Sequence, residues 1–197
     1  KQHEEKQMKV LIFDSETTGI PLFKEPSDDP RQPHVLDLAA DLWDTDTNEK
    51  IGSLDCLINN SIDIPEEMTA IHGITREMCE ADGIAPLEAH ERFADLVRQS
   101  DMLGGHNVSF DIRMMRIHAA RVTGDKWDNM LPTFCTMRKS TNVCRILKEK
   151  PRFSEDWKWP TLTEAMRFFF DADHSDAHRA RPDTDAASRI FFHLRSL

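Results

Sequence analysis

The 197-residue sequence has no apolar run approaching the roughly 18 residues a membrane span needs. Its opening, KQHEEKQMKV, is charged and lacks the apolar stretch of a signal peptide. No membrane partner is expected, and the expected location is cytoplasmic. The four cysteines, Cys56, Cys79, Cys135 and Cys144, form no C-x-x-C pair. Reduced thiols are therefore expected rather than disulfides, and the spacing of Cys135 and Cys144 is wrong for a zinc knuckle completed by His174 and His178. Neither the dinucleotide nor the P-loop glycine fingerprint occurs, which excludes those two chemistries. Positive charge is also short. Against 35 Asp and Glu stand 25 Lys and Arg, a net of −10, so indiscriminate coating of nucleic acid is excluded. A nuclease is not, because a site made of carboxylates contributes negative charge itself and bound divalent cations reverse the local field.

What is present suffices for one core: 39% of residues are hydrophobic. Residues 1–7 read as a disordered leader or an expression remnant, and 8–197 as a single domain. Met8 to Asp14 reads as a buried strand bounded by Gly19 and Pro21, and 21–33, with its four prolines, as a long surface loop. HVLDLAADLWD and KIGSLDCLIN, flanking TDTNE, read as a hairpin. Short helices are expected at PEEMTAIHG and after Thr75, and longer ones over Pro86–Ser100, Val108–Val122 (capped by Asn107), Thr161–Phe170 and Pro182–Leu194. DMLGGHN is a short strand. Strands followed by mixed helices and strands give an α/β class with a mixed sheet flanked by helices.

Three segments carry chemistry. In LIFDSETTG, Asp14 and Glu16 stand two apart on a strand and project to the same face. Two carboxylates so placed repel unless one is protonated, a cation side chain pairs them, or a hard metal ion sits between them. In GGHNVSFD, the glycines permit close backbone approach and Asp111 lies about one turn into a helix, where the macrodipole alone can account for an anion. In HRARPDTDA, Pro182 and Asp183 occupy a first helical turn, with His178 in the polar turn before it.

Taken in order, FDSETTG, HNVSFD and HRARPD resemble the three motifs of the DEDDh (DnaQ-like) 3′–5′ exonucleases, the group containing the DNA polymerase III epsilon proofreading subunit and ribonuclease T. IPEEMTAIHGIT, 64–75, resembles the segment these proteins carry between the first two motifs. The resemblance implies a ribonuclease H-like fold. It further implies two divalent ions, Mg²⁺ or Mn²⁺, held by Asp14, Glu16, Asp111 and Asp183, with His178 as general base. The implied substrate is nucleic acid with a free 3′ end, single-stranded DNA ahead of RNA, and a DNA polymerase is an implied partner. Thr17, Thr18, Gly19, His72 and Asn107 are implied to line the terminal nucleotide. His72 before Gly73 equally suits a histidine at a helix C-terminus, and Asn107 a cap. Two stretches depart from the pattern by their length: the loop 21–33, and 133–160, where Trp157 and Trp159 flank Lys158. That interleaving suits either base stacking or an amphipathic clip over the sheet.

Overall fold

The structure, a computed structural model, describes residues 7–128, 130–174 and 178–197. Most of the expected leader, and 175–177 of the polar turn before HRARPD, lie outside the described residues. Five strands form one mixed sheet: β1 (Lys9–Thr17), β2 (Val35–Asp44), β3 (Glu49–Leu57), β4 (Met102–Gly105) and β5 (Thr133–Cys135), ordered β3-β2-β1-β4-β5. β1 pairs antiparallel with β2, as β2 does with β3, while β4 and β5 run parallel to β1. The α/β class and the hairpin are as expected. β1 runs on to Thr17, past the expected end at Asp14, so Asp14 lies inside the strand and Glu16 is its penultimate residue.

Alternation along β1 decides what each side of the sheet meets. Leu11 and Phe13 pack with Leu38, Ala40 and Leu42 of β2 against Phe93 of α3 (Pro86–Gln99) and Met114, Met115 and Ile117 of α4 (Val108–Thr123). Val10 and Ile12 face the other way, onto Ala187 and Phe191 of the last helix (Ala180–Arg195). A strand covered on both faces is apolar throughout, as Val10 to Phe13 are. The first residues to break that run, Asp14, Ser15 and Glu16, therefore face two different helices by turns. Gly105 earns its place by proximity: a Cβ there would stand 2.8 Å from the Phe13 carbonyl, so only glycine lets β4 close on β1 beside the carboxylates.

The remaining helices are α1 (Glu66–His72), α2 (Arg76–Asp82), α5 (Thr136–Cys144), α6 (Leu162–Phe170) and α7, the last helix named above. α5 and β5 fall within 133–160, where the sequence shows no clear element. TMRKSTNVC is rich in Ser, Thr, Asn and Val, poor helix formers, and β5 is three residues long. The capping role expected of Asn107 is not observed. It occupies the N-cap position of α4 in a left-handed conformation, φ 67° and ψ 36°, and makes no side-chain cap bond. A capping side chain needs extended backbone, whereas asparagine tolerates the left-handed region and here turns the chain sharply.

The loop after β1 is closely tied down. The buried Gln32 side chain donates to the carbonyls of Leu22 and Pro26 and accepts from the Leu22 N–H. From α4, Arg113 donates to the Glu25 carbonyl and the Ser27 hydroxyl, and Arg121 to the carbonyls of Gln32 and Pro33. Two arginine forks thus satisfy a loop that has no regular ladder of its own.

Candidate active site

Asp14 and Glu16 project from β1 toward the N-terminal end of α7, where Asp183 sits in the first turn. One carboxylate oxygen from each of the three lies within 4.8 Å of the others, and no other such group of His, Cys, Asp and Glu forms among the described residues. Residues 14 and 183 thus meet because the even-numbered side chains of β1 and the start of α7 share one face of the sheet.

Asp111 approaches from the opposite helix and stands just outside that trio. It is 3% exposed, and its Oδ1 accepts from the Ser15 N–H at 3.0 Å and the Ser15 hydroxyl at 2.8 Å. Ser15 points to the α4 side while its neighbours point to α7, so one dipeptide step binds both carboxylate groups to the same strand. The signal for Ser15 was its position between Asp14 and Glu16, which alternation alone assigns to the other face.

These carboxylates are held against their preferences. Burial raises the Asp14 pKa well above 3.8, and the charges of Asp111, Asp183 and Glu16 raise it further. Burial lifts Glu16 to about 8, with Asp183, Asp37 and Asp111 adding to the rise and Arg179 opposing it. Burial lifts Asp111 to about 7 against the hydrogen bonds from Ser15. Nearby positive charge is directed elsewhere. Arg179 Nε donates to Asp37 Oδ2 at 2.8 Å, across the register from Glu16.

Asp183 is oriented by two histidines. His174 Nε2–H donates to its Oδ1, and the His178 backbone N–H reaches its Oδ2 at 3.3 Å. His178 is exposed and left-handed, φ 70°, a conformation a non-glycine residue keeps only where its surroundings impose it. The sequence marks His174 only as one histidine in a polar turn, nine residues before its partner. The Cys135, Cys144, His174, His178 set does not assemble among the described residues.

The residues expected to line a nucleotide divide into two kinds. Thr17 and Thr18 use their hydroxyls internally: Thr17 Oγ1 donates to the Gly19 carbonyl, and Thr18 Oγ1 accepts from the His34 N–H. Their backbone, with Gly19, forms the exit from β1. His72 ends α1, is buried, and accepts the Ile74 N–H on Nδ1, which puts its own proton on Nε2. Among the described residues that buried Nε2–H makes no well-formed hydrogen bond, although the Thr17 backbone stands near enough to act on it, and an under-satisfied donor costs free energy until a ligand meets it. Burial lowers the His72 pKa, with the Thr17 backbone and Asp37 acting in the opposite sense. Asn107 follows β4 at the same end of the sheet, its side chain not spent on a cap.

Comparison with known proteins identifies the family and the fold. The sequence matches the exonuclease (RNase T) family profile over residues 11–191. No curated protein matches the chain at a significant level. E. coli exonuclease I in complex with a dT13 oligonucleotide superposes with a TM-score of 0.70 at 18% identity, covering 96% of this chain and 41% of that one. The zinc-bound form of the E. coli exonuclease I–ssDNA complex gives 0.70 at 20% identity, covering 96% and 41%. Exonuclease I from Methylocaldum szegediense gives 0.67 at 20% identity, covering 96% and 40%. The chain thus spans about two fifths of the length of these structures, and within that span their fold is its own. On the profile match and the shared ribonuclease H-like fold, this chain belongs to the DEDDh exonuclease family.

Proposed function

We propose that the protein is a metal-dependent 3′–5′ exonuclease that cleaves the terminal phosphodiester of single-stranded DNA, or of an unpaired 3′ terminus, and releases nucleoside 5′-monophosphates. The observation that carries this reading is the half-buried trio Asp14, Glu16 and Asp183, whose mutual repulsion no Lys or Arg ion pair relieves among the described residues. The donor set is all carboxylate oxygen, which fits hard divalent ions, Mg²⁺ or Mn²⁺, rather than soft ones. Asp14, Glu16 and Asp183, with Asp111 beside them, would hold two such ions. Bound there, they would polarise the phosphoryl oxygens and stabilise both the attacking and the leaving oxygen.

The chain's own residues supply the rest. Ser15 fixes the Asp111 carboxylate, and His174 fixes that of Asp183. His178, exposed and tethered through its N–H to Asp183, takes the proton of the attacking water, the general-base role an imidazole can fill. The His72 Nε2–H and the backbone of Thr17 to Gly19, with Asn107, meet the terminal nucleotide. DNA is favoured over RNA by the oligonucleotides bound in the E. coli exonuclease I structures, dT13 and dA16. A purely binding module on this fold is disfavoured, since such a module has no need of all five side chains, Asp14, Glu16, Asp111, His178 and Asp183.

The test is to incubate the protein with 5′-labelled and 3′-labelled DNA and RNA of one sequence, with Mg²⁺ or with EDTA. Stepwise shortening of the 5′-labelled strand, early release of a labelled mononucleotide from the 3′ end, and loss of both in EDTA are expected. DNA is expected to be cut faster than RNA. Internal cleavage, or turnover that survives EDTA, overturns the proposal.

A further inference from the structure

A polyanionic strand reaching a cluster of carboxylates needs positive charge along its approach, and the chain as a whole has a deficit of it. Residues 136–160 invert that balance: seven Lys and Arg against three Asp and Glu, a net of +4 in a chain whose total is −10. The segment is built rather than slack. Leu147 bridges antiparallel to Trp157, the Lys158 N–H donates to the Ile146 carbonyl, and the Asp156 carboxylate accepts from the Arg152 N–H. Two of its cations are already paired, Lys148 with Asp156 inside the segment and Lys158 with Glu164 of α6. Among the described residues, no carboxylate pairs with Arg138. Its guanidinium lies 5.8 Å from the ring centre of Trp159, an indole that is 61% exposed.

This flank lies at the same end of the sheet as the carboxylates. β1, β4 and β5 run parallel, so Glu16, His106 and Thr136 all stand at their C-terminal ends, where open α/β sheets bind ligands. His106 joins the parts: its Nε2–H donates to the Pro160 carbonyl at 2.9 Å, and its Nδ1 lies 2.9 Å from the Thr136 hydroxyl. One residue further on is Asn107. Trp159 thus immediately precedes the anchored Pro160, and Arg138 lies two residues beyond the anchored Thr136.

We propose that Trp159, backed by Arg138, is a stacking station for a base of the single strand leading to the 3′ terminus, and that the cationic flank 136–160 carries the strand's phosphates. An exposed indole with a guanidinium over one face offers its other face to a base, and every base has a π-face, so the contact tolerates any sequence. The proposal rests on the exonuclease reading above, and its test separates the two. Wild type, Trp159→Ala, Trp159→Phe and Arg138→Ala are assayed on a 5′-fluorescein-labelled 20-residue oligo(dT) and on the p-nitrophenyl ester of thymidine 5′-monophosphate, which has no upstream strand.

The expected result for Trp159→Ala is a KM for the oligonucleotide about tenfold higher, little change in kcat, and an unchanged rate on the small ester; Trp159→Phe should recover most of the loss. Arg138→Ala should also lower the slope of log affinity against log salt by about one. If wild type hydrolyses both substrates and the variants match it, or lose activity equally on both, the stacking station is overturned while the exonuclease reading stands. If wild type hydrolyses neither, both fall.

Discussion

Two pairs of acidic residues on neighbouring strands, one pair buried and the other half-buried, face the same helix, and the protein treats them oppositely. On β2, Asp41 is completely buried and receives Arg181 through two bonds of 2.9 and 2.6 Å, Lys50 at 2.6 Å and Ser53 at 2.6 Å. Burial opposes its ionisation, but those donors win and hold its pKa below 3.8. Asp37, 2% exposed, has Arg179 and the Ala180 N–H. On β1, Asp14 and Glu16 face chiefly one another, Asp111, Asp183 and Asp37, with Arg179 only weakly opposing at Glu16, and are pushed up. The fold can evidently supply cations to buried carboxylates on this face. That it supplies them to β2 and, among the described residues, pairs no Lys or Arg with the β1 group a strand away is the contrast on which the proposed metal site rests.

The largest effect that can break this contrast is on turnover. Asp14→Asn should reduce mononucleotide release at least about a thousandfold, the scale of losing a principal electrostatic element of a site. In EDTA the same variant should unfold at a temperature no lower than wild type, because it removes repulsion rather than an ion pair. A fall in metal-free melting temperature would show that Asp14 has a structural partner after all.

The acidity of the β1 group also predicts how metal-free stability varies with pH. Glu16 at about 8 and Asp111 at about 7 lie above their ordinary values of 4.5 and 3.8, and Asp14 moves in the same direction. Between those limits the folded protein holds protons that the unfolded chain has released. Stability in EDTA should therefore fall as pH rises from about 4 to about 8, by up to about 1.4 kcal/mol per pH unit for each group. Saturating Mn²⁺ should flatten the fall, since metal then replaces the protons. Urea midpoints at pH 5 to 8, with EDTA and with Mn²⁺, measure it; a flat or rising profile in EDTA would remove the distinction between the two strands.

His178 separates chemistry from charge storage. It is exposed, so His178→Ala should leave the metal-free urea midpoint unchanged while lowering kcat about a hundredfold, as for a lost general base. A fall in metal affinity at unchanged kcat would instead make it a ligand.

Asp41→Ala tests the satisfied side. It strands Arg181 and Lys50, whose side chains are 24% and 38% exposed, so the cost should be about 2–3 kcal/mol, below that of a fully buried pair. The loss should appear in urea unfolding at pH 7 and be similar with and without metal. Rescue by metal would place Asp41 in the site rather than in the scaffold.

How much of this the sequence could disclose follows from the range of each interaction. Alternation along β1 shows Asp14 and Glu16 together and Ser15 apart, because a strand's geometry is local. The hairpin and most helices are legible for the same reason, in Pro86 at the start of α3 and the Thr161 cap of α6. The partners of Asp37 and Asp41 are not. Two aspartates spaced four apart in an apolar strand signal that cations must exist, but Arg179 and Arg181 lie some 140 residues away. Asn107 misleads because residue type suggests a cap where the backbone is left-handed, and α5 is hidden because packing overrides its weak propensity.

The smallest predicted effect bears on how a site carboxylate can be held without being neutralised. Asp41 is gripped by two full positive charges, whereas Asp111 is gripped at one oxygen by a neutral hydroxyl and a neutral amide of Ser15. Neutral donors fix direction and leave the negative charge available to a metal. Ser15→Ala removes the hydroxyl and keeps the amide, so Asp111 should stay close to its place but be less firmly aimed. The metal concentration for half-maximal activity should rise about tenfold, the low end for loss of a residue that orients a ligand, with kcat at saturating Mn²⁺ near wild type. An equal deficit at saturating metal would mean that Ser15 acts on the reaction itself, and the division between charged grips for scaffold and neutral grips for site would no longer hold.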